Sequence, residues 1–136
     1  MIRDIVRDQF FLRLPARAAT AADAAIADDL ADTLRANADR CVGMAANMIG
    51  ESVRIIAFCD GGRIVEMFNP GIVKRGGPYD CEEGCLSLDG VRPARRYKSI
   101  KVQWQTRDMK PRVKTFTGFT AQIIQHEINH LSGIII

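Results

Sequence analysis

Apolar side chains recur with two different spacings along the chain, and the longer spacing predicts a helix near the N-terminus. In residues 20–40 an apolar residue recurs every fourth position, as on one side of a helix. These positions are Ile26, Leu30 and Leu34. Thr20 can cap the first turn, and Asp23 lies near the positive end of the helix dipole. We therefore predict a helix that covers part of the core.

A second helix is predicted near the C-terminus. It runs from about Phe119 to Leu131 through a mostly apolar segment. Gly133 follows it and can end the helix in the left-handed conformation that glycine adopts readily.

The shorter spacing, with alternate residues apolar, predicts β-strands. Residues 53–59 (VRIIAFC) and 63–68 (RIVEMF) lie on either side of Asp60-Gly61-Gly62, which is typical of a hairpin. Asn69-Pro70-Gly71 is expected to end that hairpin, and residues 71–76 are expected to add a short strand.

Two further strands are predicted in the second half of the chain. Residues 99–106 (SIKVQWQT) alternate most clearly, and residues 112–118 follow after a turn. Residues 41–50 are expected to form a loop or irregular strand, and residues 79–90 to be irregular. The order of elements predicts one α+β domain over residues 1–136, with antiparallel or mixed strands packed around the C-terminal helix.

Composition and charge exclude several classes of protein. A chain of 136 residues that is 47% hydrophobic and 26% charged can bury one core. The net charge of +3 is small, so we expect no specific nucleic-acid partner, despite RPARRYK at 92–98. No apolar run is long enough to span a membrane, and the N-terminal segment does not resemble a signal peptide. We expect a cytoplasmic protein without a membrane partner.

Both histidines of the chain lie in one window, His126-Glu127-Ile128-Asn129-His130. Four residues apart on a helix, the two imidazoles lie on one face and can bind one metal ion. Glu127 follows the first ligand and can serve as general base and acid toward water at the metal. Imidazoles on an otherwise apolar helix would be partly buried and need partners. The window therefore predicts a metal site.

The third metal ligand must come from upstream, because residues 131–136 (LSGIII) carry no ligand side chain. The candidates are the cysteines and acids of CEEGCLS at 81–87. Four cysteines in a chain without an export signal indicate free thiols. On the residues alone, Cys81 and Cys85 are equal candidates. A thiolate with two imidazoles leaves one position open for water.

Three motifs resemble the signatures of the peptide deformylases. They are GMAAN at 43–47, EGCLS at 83–87 and QHEINHLSG at 125–133, in the family's order and over nearly the whole chain. The resemblance implies a deformylase-like fold. It also implies an enzyme that removes the N-formyl group, by cleaving a formamide C–N bond, from the N-terminal formyl-methionine of nascent peptides. Transient contact with the ribosome surface is a further expectation.

The resemblance also implies a ligand set and a cofactor. Cys85 would be the third ligand beside His126 and His130. The cofactor would be one divalent metal ion, with Fe(II) in the cell and Zn(II) or Ni(II) able to occupy the same site. Ligand softness does not by itself decide among these ions.

Hydrolysis of the formyl group needs donors for the developing oxyanion. The resemblance implies Glu127 as the proton carrier, the backbone N–H of Leu86 as one donor and a glutamine side chain as another. Met48 stands at the glutamine position, and a thioether donates no hydrogen bond. Asn47 carries an amide one residue earlier, but in an extended segment it would face away. Cys41 replaces a family glycine.

The implied substrate contacts lie on two sides of the metal site. The formylated peptide would add as a strand along the backbone. Those backbone positions are Val42, Gly43 and Gly84. Helical spacing back from His126 gives the methionine pocket. Its residues would be Phe119, Gln122 and Ile123, of which Gln122 is unexpectedly polar.

Two functional hypotheses follow. An active deformylase is favoured by the intact Glu127, which a protein that only binds metal would not need. A metal-binding relative with another amide or formyl substrate, or with no activity, is favoured by Met48 and Cys41. Asn129 replaces an acid of the family motif and loses its charge. If an arginine such as Arg96 pairs with that acid in the family, the pair is weaker here.

Overall fold

An antiparallel sheet of five strands is the framework of the molecule, whose computed structural model describes residues 1–135. The strands lie in chain order across the sheet. They are β1 (Gly43–Ala45), β2 (Ile55–Asp60), β3 (Arg63–Cys85), β4 (Leu88–Gln105) and β5 (Pro111–Thr117). The α-helices are α1 (Gln9–Leu12), α2 (Ala24–Ala36) and α3 (Gly118–Leu131), and 3₁₀ turns cover Ala21–Asp23 and Ala46–Ile49. The chain is therefore α+β, as predicted, and the sheet is antiparallel rather than mixed.

The predicted hairpin between β2 and β3 is confirmed. Its ladder closes at Asp60 opposite Arg63. Gly61 and Gly62 between them both have positive φ, 58° and 81°. A two-residue hairpin turn that matches the twist of its strands needs this conformation, which glycine adopts without a steric penalty.

Two predictions for the middle of the chain are wrong. β3 does not stop at residues 69–71, and residues 79–85, predicted to be irregular, are its last part. Three irregularities in its ladder with β4 interrupt the alternation of side chains, and nearly all side chains from 73 to 80 are exposed. No hydrophobic period marks this part of the strand, because pairing with β4 rather than burial stabilises it.

Helix α2 is shorter than predicted, but its predicted cap is present. Thr20 and Asp23 form a reciprocal capping box, in which the N–H of Thr20 donates to Oδ2 of Asp23 at 2.8 Å. Leu30 and Leu34 of the predicted apolar stripe are fully buried, whereas Ile26 is only partly buried. The stripe therefore packs on the core along the second half of the helix.

Strand β2 lies at the centre of the core because both of its faces are buried. Ile55 and Ala57 belong to the apolar cluster that includes the leucines of α2. Ile56 and Phe58 belong to a second cluster, which includes Ile124 of α3. The two helices are therefore held on opposite faces of the same strand, and α3 is fixed relative to the sheet.

Helix α3 ends as predicted. After Leu131, Gly133 has a φ of 77° and its N–H donates to the carbonyl of His130 at 3.0 Å. The N–H of Ile134 donates to the carbonyl of Asn129 at 2.9 Å, which completes the usual glycine-ended helix terminus. Over residues 1–135, no helix is long and apolar enough to cross a membrane.

Candidate metal centre and active site

Three predicted ligand side chains from two separate segments come together in the structure. Cys85 is the last residue of β3, and His126 and His130 lie one turn apart on α3. Sγ of Cys85 and one ring nitrogen of each histidine all lie within 4.8 Å of one another. The two Nε2 atoms are 3.2 Å apart. Cys81, the other candidate thiol, lies outside this group.

The surroundings of these donors favour a bound cation. Burial and the neighbouring His126 lower the pKa of His130 to about 3, which keeps its imidazole neutral. Burial also lowers the pKa of His126, but Glu127, Cys85 and Glu83 outweigh burial and raise that pKa to about 10. The negative groups around His126 thus attract positive charge. A thiol and two imidazole nitrogens in this setting fit a divalent transition-metal ion.

Glu83 contacts the second ring nitrogen of His126. Nδ1 of His126 lies 2.8 Å from Oε1 of Glu83. Burial raises the pKa of Glu83, but hydrogen bonds from His126, Arg96 and Gln122 outweigh burial and lower it well below the ordinary value. An ionised carboxylate only accepts, so Nδ1 of His126 donates to Glu83 and Nε2 is the nitrogen that a metal would bind, with release of any proton there. Glu83, a candidate ligand by its place in CEEGCLS, therefore contacts a ligand instead.

Arg96 joins Glu83 to helix α3. Its Nη2 donates to Oε1 of Glu83 at 2.7 Å, and its Nε donates to both carboxylate oxygens at 3.0 and 3.1 Å. Its Nη1 donates to Oδ1 of Asn129 at 2.6 Å, so the two residues are in contact, as the hypothesis of a pair with Arg96 requires. Arg96 and Glu83 are both buried, and a buried ion pair is tolerated when several hydrogen bonds satisfy it in this way.

Glu127 lies in a buried position beside the three donors. Its Oε1 has no hydrogen-bond partner within residues 1–135. Burial raises the pKa of Glu127 to about 7, although His126 and Arg96 oppose the shift. A carboxyl group that titrates near neutral pH can both accept and return a proton.

A cleft of about 520 Å³ opens onto Glu127 and Cys85. Every residue predicted to contact substrate or oxyanion lines it. These residues are Val42, Gly43, Gly84, Leu86, Phe119, Gln122 and Ile123, and Met48, at the family's glutamine position, lines the cleft as well. Two lining residues, Arg40 and Gly90, were not predicted, whereas Glu82, a candidate ligand by its place in CEEGCLS, lines the cleft but lies outside the group of three donors. Arg40 stands just before the first motif, and that proximity is the signal that could have found it.

The segment that carries Met48 is a 3₁₀ turn rather than an extended loop. Met48 lines the cleft, whereas Asn47 faces away from it. Nδ2 of Asn47 donates to the carbonyls of His130 at 3.0 Å and Leu12 at 3.4 Å. The amide of Asn47 thus does not replace the missing glutamine. Cys41 also lines the cleft, and burial raises the pKa of its thiol to about 12, so it stays protonated.

A thiol, two imidazoles and a buried glutamate at the end of a cleft are the parts of a mononuclear metallohydrolase. A model of the polypeptide deformylase family matches residues 3–136. The peptide deformylase of Clostridium beijerinckii is 52% identical over 136 residues, the full length of both chains. That of Pelodictyon phaeoclathratiforme is 33% identical, and the match covers 90% of this chain and 70% of that one.

Solved structures agree with these relatives. A class I type b peptide deformylase from Acinetobacter baumannii with Met-Ala-Ser bound has a TM-score of 0.88 at 27% identity, over 99% of this chain and 97% of that one. The peptide deformylase from Thermus thermophilus has a TM-score of 0.87 at 31% identity, over 99% and 83%. The chain belongs to the polypeptide deformylase family, metal-dependent enzymes that act on formylated peptides. The predicted family is confirmed.

Proposed function

We propose that this chain removes the N-formyl group from the N-terminal formyl-methionine of nascent peptides. The observation that carries the proposal is the grouping of Cys85, His126 and His130 beside the buried Glu127 at the end of a cleft. Membership of the family supports the same reaction. The products are formate and a peptide with a free amino group.

Cys85, His126 and His130 are the residues that would hold one divalent metal ion. When bound, such an ion supplies Lewis acidity, which makes water more acidic and polarises a carbonyl group. We propose Fe(II) as the ion in the cell, on the basis of the family resemblance. Zn(II) and Ni(II) suit the same donors, because thiolate and imidazole bind all three ions.

Glu127 is the proposed proton carrier. Its carboxylate accepts a proton from the attacking water and passes it to the amine nitrogen as the C–N bond of the formamide breaks. A pKa of about 7 suits both steps near neutral pH. The backbone N–H of Leu86 is the proposed donor to the oxygen that becomes negative at the formyl carbon. Met48 cannot add a second donor, so we propose a lower rate than a glutamine at this position would give.

The cleft would hold the substrate in two parts. The peptide backbone would pair as an added strand with the backbone of Val42, Gly43 and Gly84. The methionine side chain would lie among Phe119, Gln122 and Ile123. Met-Ala-Ser, which is bound to the Acinetobacter relative, supports a peptide of this kind. Because the substrate is the end of a growing chain, the proposal includes transient contact with the ribosome surface.

The proposal is tested by measuring formate release from formyl-Met-Ala-Ser. The protein is purified without oxygen and loaded with Fe(II) or Ni(II). We expect turnover that disappears in Glu127→Gln, with metal content unchanged. Cys85→Ser should lose metal, whereas the matched control Cys81→Ser should keep it.

Stoichiometric metal without formate release would contradict deformylation. That outcome would favour a second candidate, hydrolysis of another small amide or formyl compound. The observation in favour of this candidate is Met48 in place of an oxyanion donor.

A further inference from the structure

Gln122 lies in the wall of the cleft, yet both ends of its amide are bound to neighbouring side chains. Its Nε2 donates to Oε2 of Glu83 at 2.9 Å. The hydroxyl of Tyr79 donates to Oε1 of Gln122 at 3.4 Å. A polar group in a largely apolar wall is unfavourable unless it is hydrogen-bonded, and here it is. The amide therefore forms its hydrogen bond with Glu83 rather than with a molecule bound in the cleft.

Glu83 is held by two side chains from one face of α3. Gln122 and His126 are four residues apart, so both point to the same side of the helix. They contact different oxygens of the carboxylate, with Nδ1 of His126 at Oε1 (2.8 Å) and Nε2 of Gln122 at Oε2 (2.9 Å). The plane of the carboxylate is thereby fixed relative to the helix that carries His126.

Arg96 alone would not fix that plane as firmly. Its Nη2 and Nε both donate to Oε1 of Glu83, at 2.7 and 3.1 Å, whereas only the shared Nε donates to Oε2, at 3.0 Å. Without Gln122, Oε2 of Glu83 would keep this shared donor and a long 3.7 Å contact from the thiol of Cys81. The carboxylate could then turn, and its hydrogen bond to His126 would weaken.

We propose that Gln122 is a positioning residue for the metal centre. Its amide fixes Glu83, and Glu83 fixes the tautomer and ring orientation of His126. Because Gln122 also lines the cleft where the methionine side chain would lie, one residue joins the substrate wall to a metal ligand. This inference rests on the proposed function, in which His126 binds the metal.

The alternative is that Gln122 is only part of the pocket wall. In that case its replacement would change KM and leave metal binding as it was. Loss of a residue that orients a ligand typically weakens metal binding by about 10–100-fold. Metal affinity and KM therefore separate the two roles.

The experiment compares Gln122→Met, which keeps the length of the side chain and removes the amide, with wild type. The matched control is Ile123→Val, on the same wall without a contact to Glu83. Zn(II) affinity is measured by competition with a chromophoric chelator, and the Co(II) form is examined by visible absorption. Kinetics with formyl-Met-Ala-Ser give kcat and KM.

For Gln122→Met we expect about tenfold weaker Zn(II) binding, an altered Co(II) spectrum and a lower kcat. Ile123→Val should keep wild-type Zn(II) affinity. If Gln122→Met does not fold, Gln122→Asn, whose amide is too short to reach Glu83, should show the same weakening. Wild-type affinity and spectrum in a folded Gln122 variant, with only KM changed, would overturn the inference.

The failure of this inference is distinct from failure of the proposed function. If wild type binds Zn(II) and releases formate, and Gln122→Met binds Zn(II) with the same affinity, only the role of Gln122 is contradicted. If Cys85→Ser leaves the Zn(II) affinity unchanged, the proposed metal centre itself is contradicted.

Discussion

Gly43 and Glu127 lie in contact, with no room for a side chain between them. A methyl group on the Cα of Gly43 would be 3.1 Å from Oε2 and 3.3 Å from Cγ of Glu127. It would also be 2.6 Å from Cγ2 of Ile123, closer than such atoms approach. The missing side chain lets β1 pack directly on the helix face that carries Glu127.

Gly43→Ala should therefore displace Ile123 and shift Glu127 by a few tenths of an ångström. Because small misplacements of a reacting group are costly, we expect kcat to fall by up to about 10²-fold. Formate release and thermal unfolding should be measured together. The control is Gly71→Ala, because a methyl group there would meet no atom of residues 1–135 within 4 Å. Full activity in Gly43→Ala would show that the contact does not position the glutamate.

Met48→Gln should raise kcat/KM by about 10²-fold, because it restores a hydrogen-bond donor to the wall of the cleft. Met48 is nearly fully buried and similar in length to glutamine, so the exchange needs little repacking. Met48→Leu, which adds no donor, is the control and should give no increase. An unchanged rate in Met48→Gln would mean that another group already stabilises the oxyanion.

Arg96→Met should destabilise the fold by about 3–5 kcal/mol, because it leaves the buried Glu83 carboxylate without its charged partner. The free energy of unfolding is measured by urea titration of the metal-free protein. The neighbouring Arg95 offers a matched control, since its ion pair with Asp80 is exposed on both sides. Arg95→Met should change stability by less than about 1 kcal/mol. If the two substitutions lowered the free energy of unfolding equally, burial of the Arg96–Glu83 pair would not explain its contribution to stability.

Acid should remove a contribution to stability from Asp23. The hydrogen bond from Arg17 lowers the pKa of Asp23 from 3.8 to about 2, against the effect of burial. A carboxyl whose pKa is lower in the folded state stabilises the fold above pH 3.8, and this contribution is lost as the pH falls toward 2. With Arg17 largely exposed, about 1 kcal/mol is expected.

The test compares urea unfolding of wild type and Asp23→Asn at pH 6 and pH 2.5. The difference between the two proteins should shrink at the lower pH. Asp39→Asn is the control, because Asp39 is exposed and forms no ion pair among residues 1–135. A difference that stays constant with pH would assign the effect of Asp23 to helix capping alone.

Local patterns predicted the parts of the site that lie on one element. The four-residue spacing of His126 and His130 needs only a helix to place both on one face. Cys85 was chosen over Cys81 by family resemblance, because no local pattern tells which of two thiols a strand brings to a helix 41 residues further on. The end of β3 was missed for the same reason, since its partner β4 stabilises it.

The environment of each side chain was harder to predict than its proximity to the site. Gln122 was recognised as a wall residue, but its bond to Glu83, 39 positions earlier, depends on how α3 packs on β3. In an extended segment the side chain of Asn47 would face away from the site. It does face away, but in a 3₁₀ turn that ties it to the end of α3.

The two-residue turn that joins β3 to β4 has a consequence for the newly made chain. Cys85 pairs with Leu88 across this turn, and a hairpin can begin to close there as soon as β4 has left the ribosome. The histidines lie 41 and 45 residues beyond Cys85, so during synthesis Cys85 is added to the chain before either histidine. Until α3 packs on the sheet, Cys85 is open to oxidation and to capture by soft metals that a thiolate alone can bind.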